Sequence, residues 1–129
     1  MIIGIGTDIV EVERIKDMID RLGDRLPQRL LSDAELKRYA EAPQKGSWLA
    51  KRFAAKEAAA KALGTGIAEG VSWKHIEVSN DALGAPKLIL HEVALQRARS
   101  MGADTFHLSL SDERAFAVAY VILERRAGS

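Results

Sequence analysis

The 129-residue sequence contains no cysteine. This excludes disulfide bonds, thiolate nucleophiles, and zinc or iron–sulfur clusters bound by cysteine. It also has no run of about 20 apolar residues, the length that a membrane-spanning helix requires. Its apolar opening, MIIGIGTDIVE, has no basic leader and no small-residue cleavage site. We therefore expect a cytoplasmic protein with no membrane partner.

Neither sign of charge is in clear excess. The sequence has 19 Lys and Arg residues and 18 Asp and Glu residues, for a net charge of +1. A protein that binds nucleic acid through many phosphate contacts needs a stronger positive balance, so no nucleic-acid partner is expected. The segment from residue 14 to residue 29 is nevertheless locally basic, because it contains Arg14, Lys16, Arg21, Arg25 and Arg29. This segment predicts a docking surface for an acidic partner.

Hydrophobic periodicity and turn signals predict one α+β domain over residues 1–129. In chain order, the predicted elements are strand 2–9, helix 12–22, a short helix after Ser32, an alanine-rich helix after Ser47, strands 71–79 and 86–91, helix 92–101, and strands 105–111 and 115–124. We expect a mainly antiparallel sheet packed against the long alanine-rich helix. The last strand is apolar on both faces, which predicts a central strand or a strand that contacts another subunit.

Several side chains have predicted local roles. Ser32 and Glu35 have the spacing of a capping box, and Ser47 is the predicted N-cap of the alanine-rich helix. Trp48 and Trp73 are predicted to be packing groups, because no alternation of basic and aromatic residues surrounds them.

The alanine-rich segment RFAAKEAAAKALGTG, residues 52–66, contains a single acid, Glu57. On a helical wheel, Glu57 and Lys61 share one side between two apolar faces, so both are expected to point into a narrow space between elements. One interpretation is an ordinary i,i+4 ion pair in solvent. A second acid, Asp8, has an ordinary interpretation too, as a helix N-cap with Glu11 completing the capping box.

Taken together, the two acids predict a metal site. Asp8 shares a strand face with Gly4 and Gly6, which leave room for a ligand or for backbone. A carboxylate at the end of an apolar strand is costly unless it is paired or bound to a cation. Mg²⁺ prefers one or two protein carboxylates together with substrate phosphate oxygens. Asp8, Glu57 and a neighbouring Lys61 therefore suit Mg²⁺ that holds a phosphate group.

Two long segments carry a family resemblance. GIGTDIVEVERI at residues 4–15 and RFAAKEAAAKALGTG at residues 52–66 closely resemble the holo-acyl-carrier-protein synthases, a class of 4′-phosphopantetheinyl transferase. The resemblance covers essentially the whole chain and includes GAP at residues 84–86 and HLS at residues 107–109. It implies the 4′-phosphopantetheinyl transferase fold and a homotrimer with sites at subunit interfaces.

The resemblance also implies an activity and the residues that perform it. The 4′-phosphopantetheine group would move from coenzyme A to a serine hydroxyl of apo acyl carrier protein, releasing adenosine 3′,5′-bisphosphate and supporting fatty acid biosynthesis. Asp8 and Glu57 would bind Mg²⁺, and with Lys61 they would form the catalytic set. The residues near the coenzyme A phosphates would be Arg52, Lys61, Gly64 and His107. The acyl carrier protein would dock on Arg14, Arg21 and Arg25.

Several alternatives stay open on the residues alone. The general base is Glu57, Asp8 or a water held by the metal. Ala85 stands where the family often has a basic residue, so nucleotide contacts from that loop are not implied, although Lys87 is close in sequence. A rival enzyme function is another Mg²⁺-dependent nucleotide or diphosphate enzyme, such as a hydrolase. A non-enzymatic rival is a module that binds an acidic protein through the basic segment.

Overall fold

The computed structural model of the protein describes residues 1–126. In chain order its elements are β1 Ile2–Glu11, α1 Val12–Leu22, α2 Arg25–Leu30, α3 Asp33–Glu41, α4 Lys45–Ala62, a 3₁₀ helix Trp73–His75, β2 Ile76–Asn80, β3 Pro86–Leu90, α5 Glu92–Met101, β4 Thr105–Glu113 and β5 Phe116–Glu124. These elements form an α+β domain. Within the described range, no helix has both the length and the apolar character needed to cross a bilayer.

The strands form two antiparallel sheets instead of one. The larger sheet has the order β1-β5-β4, and β2 pairs with β3 in a separate two-stranded sheet. The prediction that the last strand is central is therefore confirmed for the larger sheet. Alternate residues of β5 are fully buried on the side toward α4, namely Ala117, Ala119, Val121 and Leu123.

Two glycines of β1 allow α4 to lie very close to the larger sheet. A Cβ atom at Gly4 would collide with the carbonyl oxygen of Ala62, and one at Gly6 would collide with that of Ala58. The sequence analysis predicted that either a ligand or backbone lies beside Gly4 and Gly6. The structure shows that the backbone of α4 lies there. Asp8 follows on the same strand face, so it lies at the junction of β1 and α4.

One helix was not predicted. α2 covers Arg25–Leu30 even though it contains Pro27. The proline lies in the first turn, where a backbone N–H has no partner within the helix, so its missing donor costs little. The predicted end of α1 is confirmed, because Gly23 follows it with a φ of 57°.

Two predicted boundaries are wrong by three residues or more, and the other strand ends differ by one or two residues. Ser47 is not the N-cap of α4, because the helix begins at Lys45 and its N-cap is Gln44, which makes no side-chain capping bond. The strand predicted at residues 71–79 starts only at the beginning of β2. Ser72 caps a 3₁₀ helix in front of it, and this turn takes the preceding residues out of the strand.

A fully buried ion pair connects α3 with α4. Lys56 Nζ donates to Glu35 Oε1 at 2.8 Å, and both side chains have no exposed surface. Glu35 also accepts hydrogen bonds from the backbone N–H of Ser32 and of Val78, each at 3.0 Å, and the first of these confirms the predicted capping box. Burial lowers the pKa of Lys56, while the charge of Glu35 opposes that change.

The outer face of the larger sheet, the face away from α4, is apolar and exposed along β1 and β5. Ile5 and Ile9 are each 63% exposed, and Tyr120 is 55% exposed. On β4 the same face is polar and includes His107, whose register places it across β5 from Ile5.

Candidate active site

Asp8 and Glu57 line the same cavity, which has a volume of about 230 Å³. β1 supplies Asp8, and α4 supplies Glu57 from a turn that packs close to this strand. Arg14 of α1 and Phe53 of α4 also line this space, which is called the acid cavity below. The structure thus brings together two acids and a guanidinium that are far apart in the sequence.

Asp8 is held by Lys61. Lys61 Nζ donates to Asp8 Oδ1 at 2.9 Å and to the carbonyl oxygen of Thr7 at 3.0 Å. This excludes both ordinary interpretations of the acids. Asp8 lies inside β1 and is not a helix cap, since the N-cap of α1 is Glu11 and has no side-chain bond. Lys61 pairs with Asp8 across to the strand, and no bond joins it to Glu57 of its own helix within residues 1–126.

Glu57 is held by Trp73, which the sequence analysis predicted to be only a packing group. Trp73 Nε1 donates to Glu57 Oε1 at 3.1 Å. No protein donor within residues 1–126 bonds to the second carboxylate oxygen, Oε2. The predicted packing role is also present, because the Trp73 ring lies 6.4 Å from that of Phe53. The sequence analysis did not consider the indole N–H of Trp73. This group is a donor that needs a partner when it is partly buried, and it could have indicated a hydrogen bond to an acid.

The carboxylate oxygens of the acid cavity are suitable ligands for a hard cation that also binds a substrate. Two carboxylates face one small space, and the ammonium group of Lys61 already places a positive charge against Asp8. Within residues 1–126 no group of three or more His, Asp or Glu residues is placed to hold a metal by itself. Mg²⁺ commonly takes one or two carboxylates and completes its coordination with water and phosphate oxygens. Asp8 and Glu57 therefore match the requirements of Mg²⁺ bound together with a phosphate.

The three arginines predicted for docking have different surroundings. Arg14 is exposed and lines the acid cavity. Arg21 is exposed in the last turn of α1. Arg25 lines a neighbouring, mainly apolar cavity of about 370 Å³, and its Nε donates to the carbonyl oxygen of Leu22 at 3.4 Å. Phe53 lines both cavities, so the basic segment borders the acid cavity directly.

Arg52 lines a different cavity, of about 190 Å³, together with Gly84 and Pro86 of the turn between β2 and β3. Its side chain is buried, lies 4.3 Å from the ring centre of Trp48, and donates from Nη2 to Asn80 Oδ1 at 3.0 Å. Its Nε is buried without a hydrogen-bond partner in the described part of the chain. Burial lowers the pKa of Arg52. This buried, incompletely paired guanidinium is suited to an anionic ligand.

Gly64 and His107, which were also predicted to lie near the coenzyme A phosphates, do not line the acid cavity. Gly64 follows the end of α4 with a φ of 78°, which is the ordinary reason for glycine at this position. His107 lies on the outer face of the larger sheet, and its Nε2 is 2.9 Å from Glu124 Oε1. This hydrogen bond holds the pKa of Glu124 below its ordinary value. The strand register places Asp8 on the opposite face, so one chain does not bring His107 and Asp8 together.

Comparison with known proteins identifies the family of the chain. The family model described as the 4′-phosphopantetheinyl transferase superfamily matches residues 4–121. A holo-acyl-carrier-protein synthase from Vibrio parahaemolyticus is 55% identical over 123 residues, which cover 95% of this chain and 98% of that protein. One from Vibrio cholerae is 52% identical over 126 residues, which cover 98% of this chain and 100% of that protein.

Solved structures show the same fold. The holo-acyl-carrier-protein synthase of Neisseria meningitidis superposes with a TM-score of 0.89 at 42% identity, covering 97% of this chain and 100% of that one. The synthase of Bacillus anthracis, solved in complex with CoA (3′,5′-ADP), superposes with a TM-score of 0.82 at 40% identity, covering 98% and 99%. The family predicted from residues 4–15 and 52–66 is confirmed. The chain belongs to the 4′-phosphopantetheinyl transferase superfamily.

Proposed function

We propose that this protein transfers the 4′-phosphopantetheine group of coenzyme A to a serine hydroxyl of apo acyl carrier protein. The products are holo acyl carrier protein and adenosine 3′,5′-bisphosphate. The observation that carries the proposal is the placement of Asp8 and Glu57 in one cavity, in a chain whose relatives are holo-acyl-carrier-protein synthases. Cytoplasmic fatty acid biosynthesis is the setting that fits this reaction.

Asp8 and Glu57 would hold Mg²⁺ in the acid cavity. When bound, the cation would neutralise negative charge on the diphosphate of coenzyme A. Lys61 would add a second positive charge from the side of β1, where its ammonium group lies against Asp8. Positive charge placed beside a diphosphate stabilises the negative charge that develops on the departing phosphate.

The transfer itself exchanges one phosphorus–oxygen bond for another. The serine oxygen bonds to the phosphorus that carries pantetheine, and the bond from this phosphorus to the bridging oxygen breaks. Adenosine 3′,5′-bisphosphate leaves with that oxygen, and the hydroxyl proton passes to a base. Asp8 and Glu57 both offer carboxylate oxygens in the cavity for this proton. Because the chain has no cysteine, a single direct transfer without a thiol intermediate is the simplest route.

The nucleotide part of coenzyme A would lie near Arg52, Gly64 and His107. The unpartnered Nε of Arg52 supports a phosphate contact at the turn between β2 and β3. His107 lies on the opposite face of the sheet from Asp8, so the His107 of the same chain is not beside the acid cavity. A contact between His107 and the nucleotide therefore requires the His107 of another subunit. We therefore include a homotrimer with sites at subunit interfaces in the proposal, each subunit being one domain of residues 1–129.

The acyl carrier protein would approach over the basic segment. Arg14, Arg21 and Arg25 are exposed on or near α1, and the acid cavity opens beside them. Complementary charge at such a surface speeds association and sets orientation. This arrangement would guide the carrier serine toward the acid cavity.

The proposal is tested by mass spectrometry of the carrier protein. Incubation with coenzyme A, Mg²⁺ and apo acyl carrier protein should add about 340 Da to the carrier, the mass of the transferred group. The Asp8→Asn variant, which keeps the shape of the side chain, should leave the carrier mass unchanged.

The same reaction separates the rival functions. A hydrolase would release adenosine 3′,5′-bisphosphate from coenzyme A without any carrier protein. A non-catalytic binding module would bind the carrier equally well after both acids are replaced by their amides. Either result, together with an unmodified carrier, would refute the proposal.

A further inference from the structure

Trp73 makes a directed contact with the acid cavity in addition to its packing contacts. Its Nε1 donates to Glu57 Oε1 at 3.1 Å. An indole N–H can only donate, and its direction is fixed by the ring plane. The bond therefore holds one oxygen of Glu57 and leaves Oε2 as the oxygen without a protein donor in residues 1–126.

The indole ring itself is held firmly from several directions. The Phe53 ring packs against it at 6.4 Å, and the guanidinium carbon of Arg29 lies 5.7 Å from its centre. The backbone of Trp73 is held by Lys56, whose Nζ donates to the Trp73 carbonyl oxygen at 2.9 Å. Lys56 is in turn paired with the fully buried Glu35. The half-buried indole ring thus has packing contacts on its faces and a backbone held by a fully buried ion pair, and together these determine where its N–H points.

We propose that Trp73 is a positioning residue, which orients the Glu57 carboxylate so that its second oxygen is presented to the divalent cation. This inference rests on the proposed function, because it concerns the same cation. A glutamate side chain loses rotamer freedom when it binds a metal, and a neighbour that has already fixed it removes part of that cost. Groups that orient metal ligands in this way commonly change metal affinity 10- to 100-fold when they are replaced.

The first test is cation binding without turnover. The Trp73→Phe variant keeps an aromatic ring in the packing but removes the N–H. With coenzyme A present and no carrier protein, electron paramagnetic resonance of Mn²⁺ should show a dissociation constant about 10-fold higher than that of the wild type. The Trp48→Phe variant is the matched control, because it removes the other indole N–H and keeps a ring beside Arg52. With coenzyme A at saturation it should keep the wild-type Mn²⁺ affinity. Wild-type affinity in Trp73→Phe would overturn the positioning role.

The second test separates positioning from a merely structural role. In the transfer assay, Trp73→Phe should need about 10-fold more Mg²⁺ for half-maximal rate, and saturating Mg²⁺ should largely restore kcat. A structural defect would lower kcat at every Mg²⁺ concentration and would refute the inference.

A third measurement works even if Trp73→Phe does not fold. The sequence contains two tryptophans, so Trp48→Phe leaves Trp73 as the single fluorophore. With coenzyme A bound, its emission should change when Mg²⁺ is added, and the change should disappear when Glu57→Gln is added to the variant. Emission that ignores Mg²⁺ would overturn the inference.

Failure of the positioning role can be told apart from failure of the proposed function. A wild-type chain that neither binds Mn²⁺ nor modifies the carrier refutes both. A wild-type chain that does both, together with an unchanged Trp73→Phe variant, refutes only the positioning role.

Discussion

Asp8 and Glu57 are held by chemically different partners. Asp8 accepts from the charged Lys61, whose side chain is 54% exposed, whereas Glu57 accepts from the neutral indole of Trp73. An exposed ammonium on a flexible stem can turn toward a substrate phosphate at low cost, while a packed indole stays in place. We therefore expect the Lys61 side chain to move toward a bound substrate phosphate, and Trp73 to keep the Glu57 carboxylate in one orientation.

The Lys61→Met variant tests this division at the residue level. We expect kcat for carrier modification to fall about 10²- to 10³-fold, because one charge that stabilises the departing phosphate is lost. Stability should change by no more than about 1 kcal/mol, since half-exposed ion pairs contribute little. Steady-state kinetics and urea denaturation measure the two effects.

Lys37→Met is a suitable control, because Lys37 is exposed on α3 and, unlike Lys61, has no hydrogen bond or ion pair to Asp8 within residues 1–126. It should behave like the wild type in both measurements. A Lys61→Met enzyme with a kcat within a few-fold of the control would remove Lys61 from the catalytic set.

At the scale of elements, the close approach of β1 and α4 determines where the two acids meet. The approach requires glycine on the strand and short side chains on the helix. Ala54, Ala55, Ala58 and Ala59 are fully buried on α4, which is why this helix is rich in alanine. The glycines thus act on the site indirectly, by setting the distance between the elements that carry Asp8 and Glu57.

The Gly6→Ala variant should separate these elements. Its Cβ would collide with the Ala58 carbonyl oxygen, which is backbone and cannot rotate away. We expect a loss of about 3 kcal/mol or more in the free energy of unfolding, measured in urea, because an overpacked core has to shift. We also expect weaker Mn²⁺ binding, because Asp8 and Glu57 move apart.

The Gly46→Ala variant is the matched control. A Cβ there would approach the Lys16 side chain, with Cγ at 2.5 Å, and this side chain can change rotamer whereas a backbone carbonyl cannot. Alanine also favours a helix by about 1 kcal/mol over glycine, so Gly46→Ala should lose much less stability than Gly6→Ala. Equal stability of Gly6→Ala and Gly46→Ala would contradict the packing argument.

The buried ion pair provides a second prediction about elements. The Lys56→Met variant leaves the Glu35 carboxylate buried without its cation, while the volume of the side chain is nearly kept. Removing one partner of a buried pair typically costs about 3 to 5 kcal/mol, so urea denaturation should show a loss of this size. The double variant Lys56→Met with Glu35→Gln should recover part of it, because the neutral amide removes the buried charge and keeps an acceptor oxygen for the backbone N–H of Val78. A double variant as unstable as the single one would contradict this account.

Local patterns predicted much of this framework, and the misses have physical reasons. The alternation of β1 and the alanine-rich pattern of α4 are properties of neighbouring residues, so both elements were found. α2 was missed because its six residues are too few to show a clear helical period in the sequence. The contacts of Lys61 with Asp8 and of Trp73 with Glu57 join distant segments, and only the packed fold determines them.

At the scale of the whole molecule, the predicted site residues fall on two faces of one sheet. Asp8 faces α4, whereas His107 lies on the outer face, where Ile5, Ile9 and Tyr120 are exposed. An apolar sheet face of this kind is typical of a subunit contact. If another copy covers it, His107 of one subunit can serve the acid cavity of its neighbour.

The Ile5→Glu variant should dissociate the assembly. A charge in the middle of an apolar contact is costly to bury, so light scattering should report the 14.1 kDa mass of one chain in place of three times that mass. Carrier modification should be lost together with the assembly. An Ile5→Glu enzyme that stays active as a monomer would rule out a site shared between subunits.

Mixing two inactive variants gives the sharpest test of a shared site. Asp8→Asn keeps His107, and His107→Ala keeps Asp8, so a mixed assembly contains some interfaces where both intact residues meet. If subunits of the two variants assemble at random, about one site in four should be intact, by the symmetry of the ring. Refolding the two variants together should then recover about a quarter of wild-type activity, whereas each variant refolded alone should stay inactive. A mixture as inactive as its components would place the whole site within a single chain, because subunit exchange could not repair it.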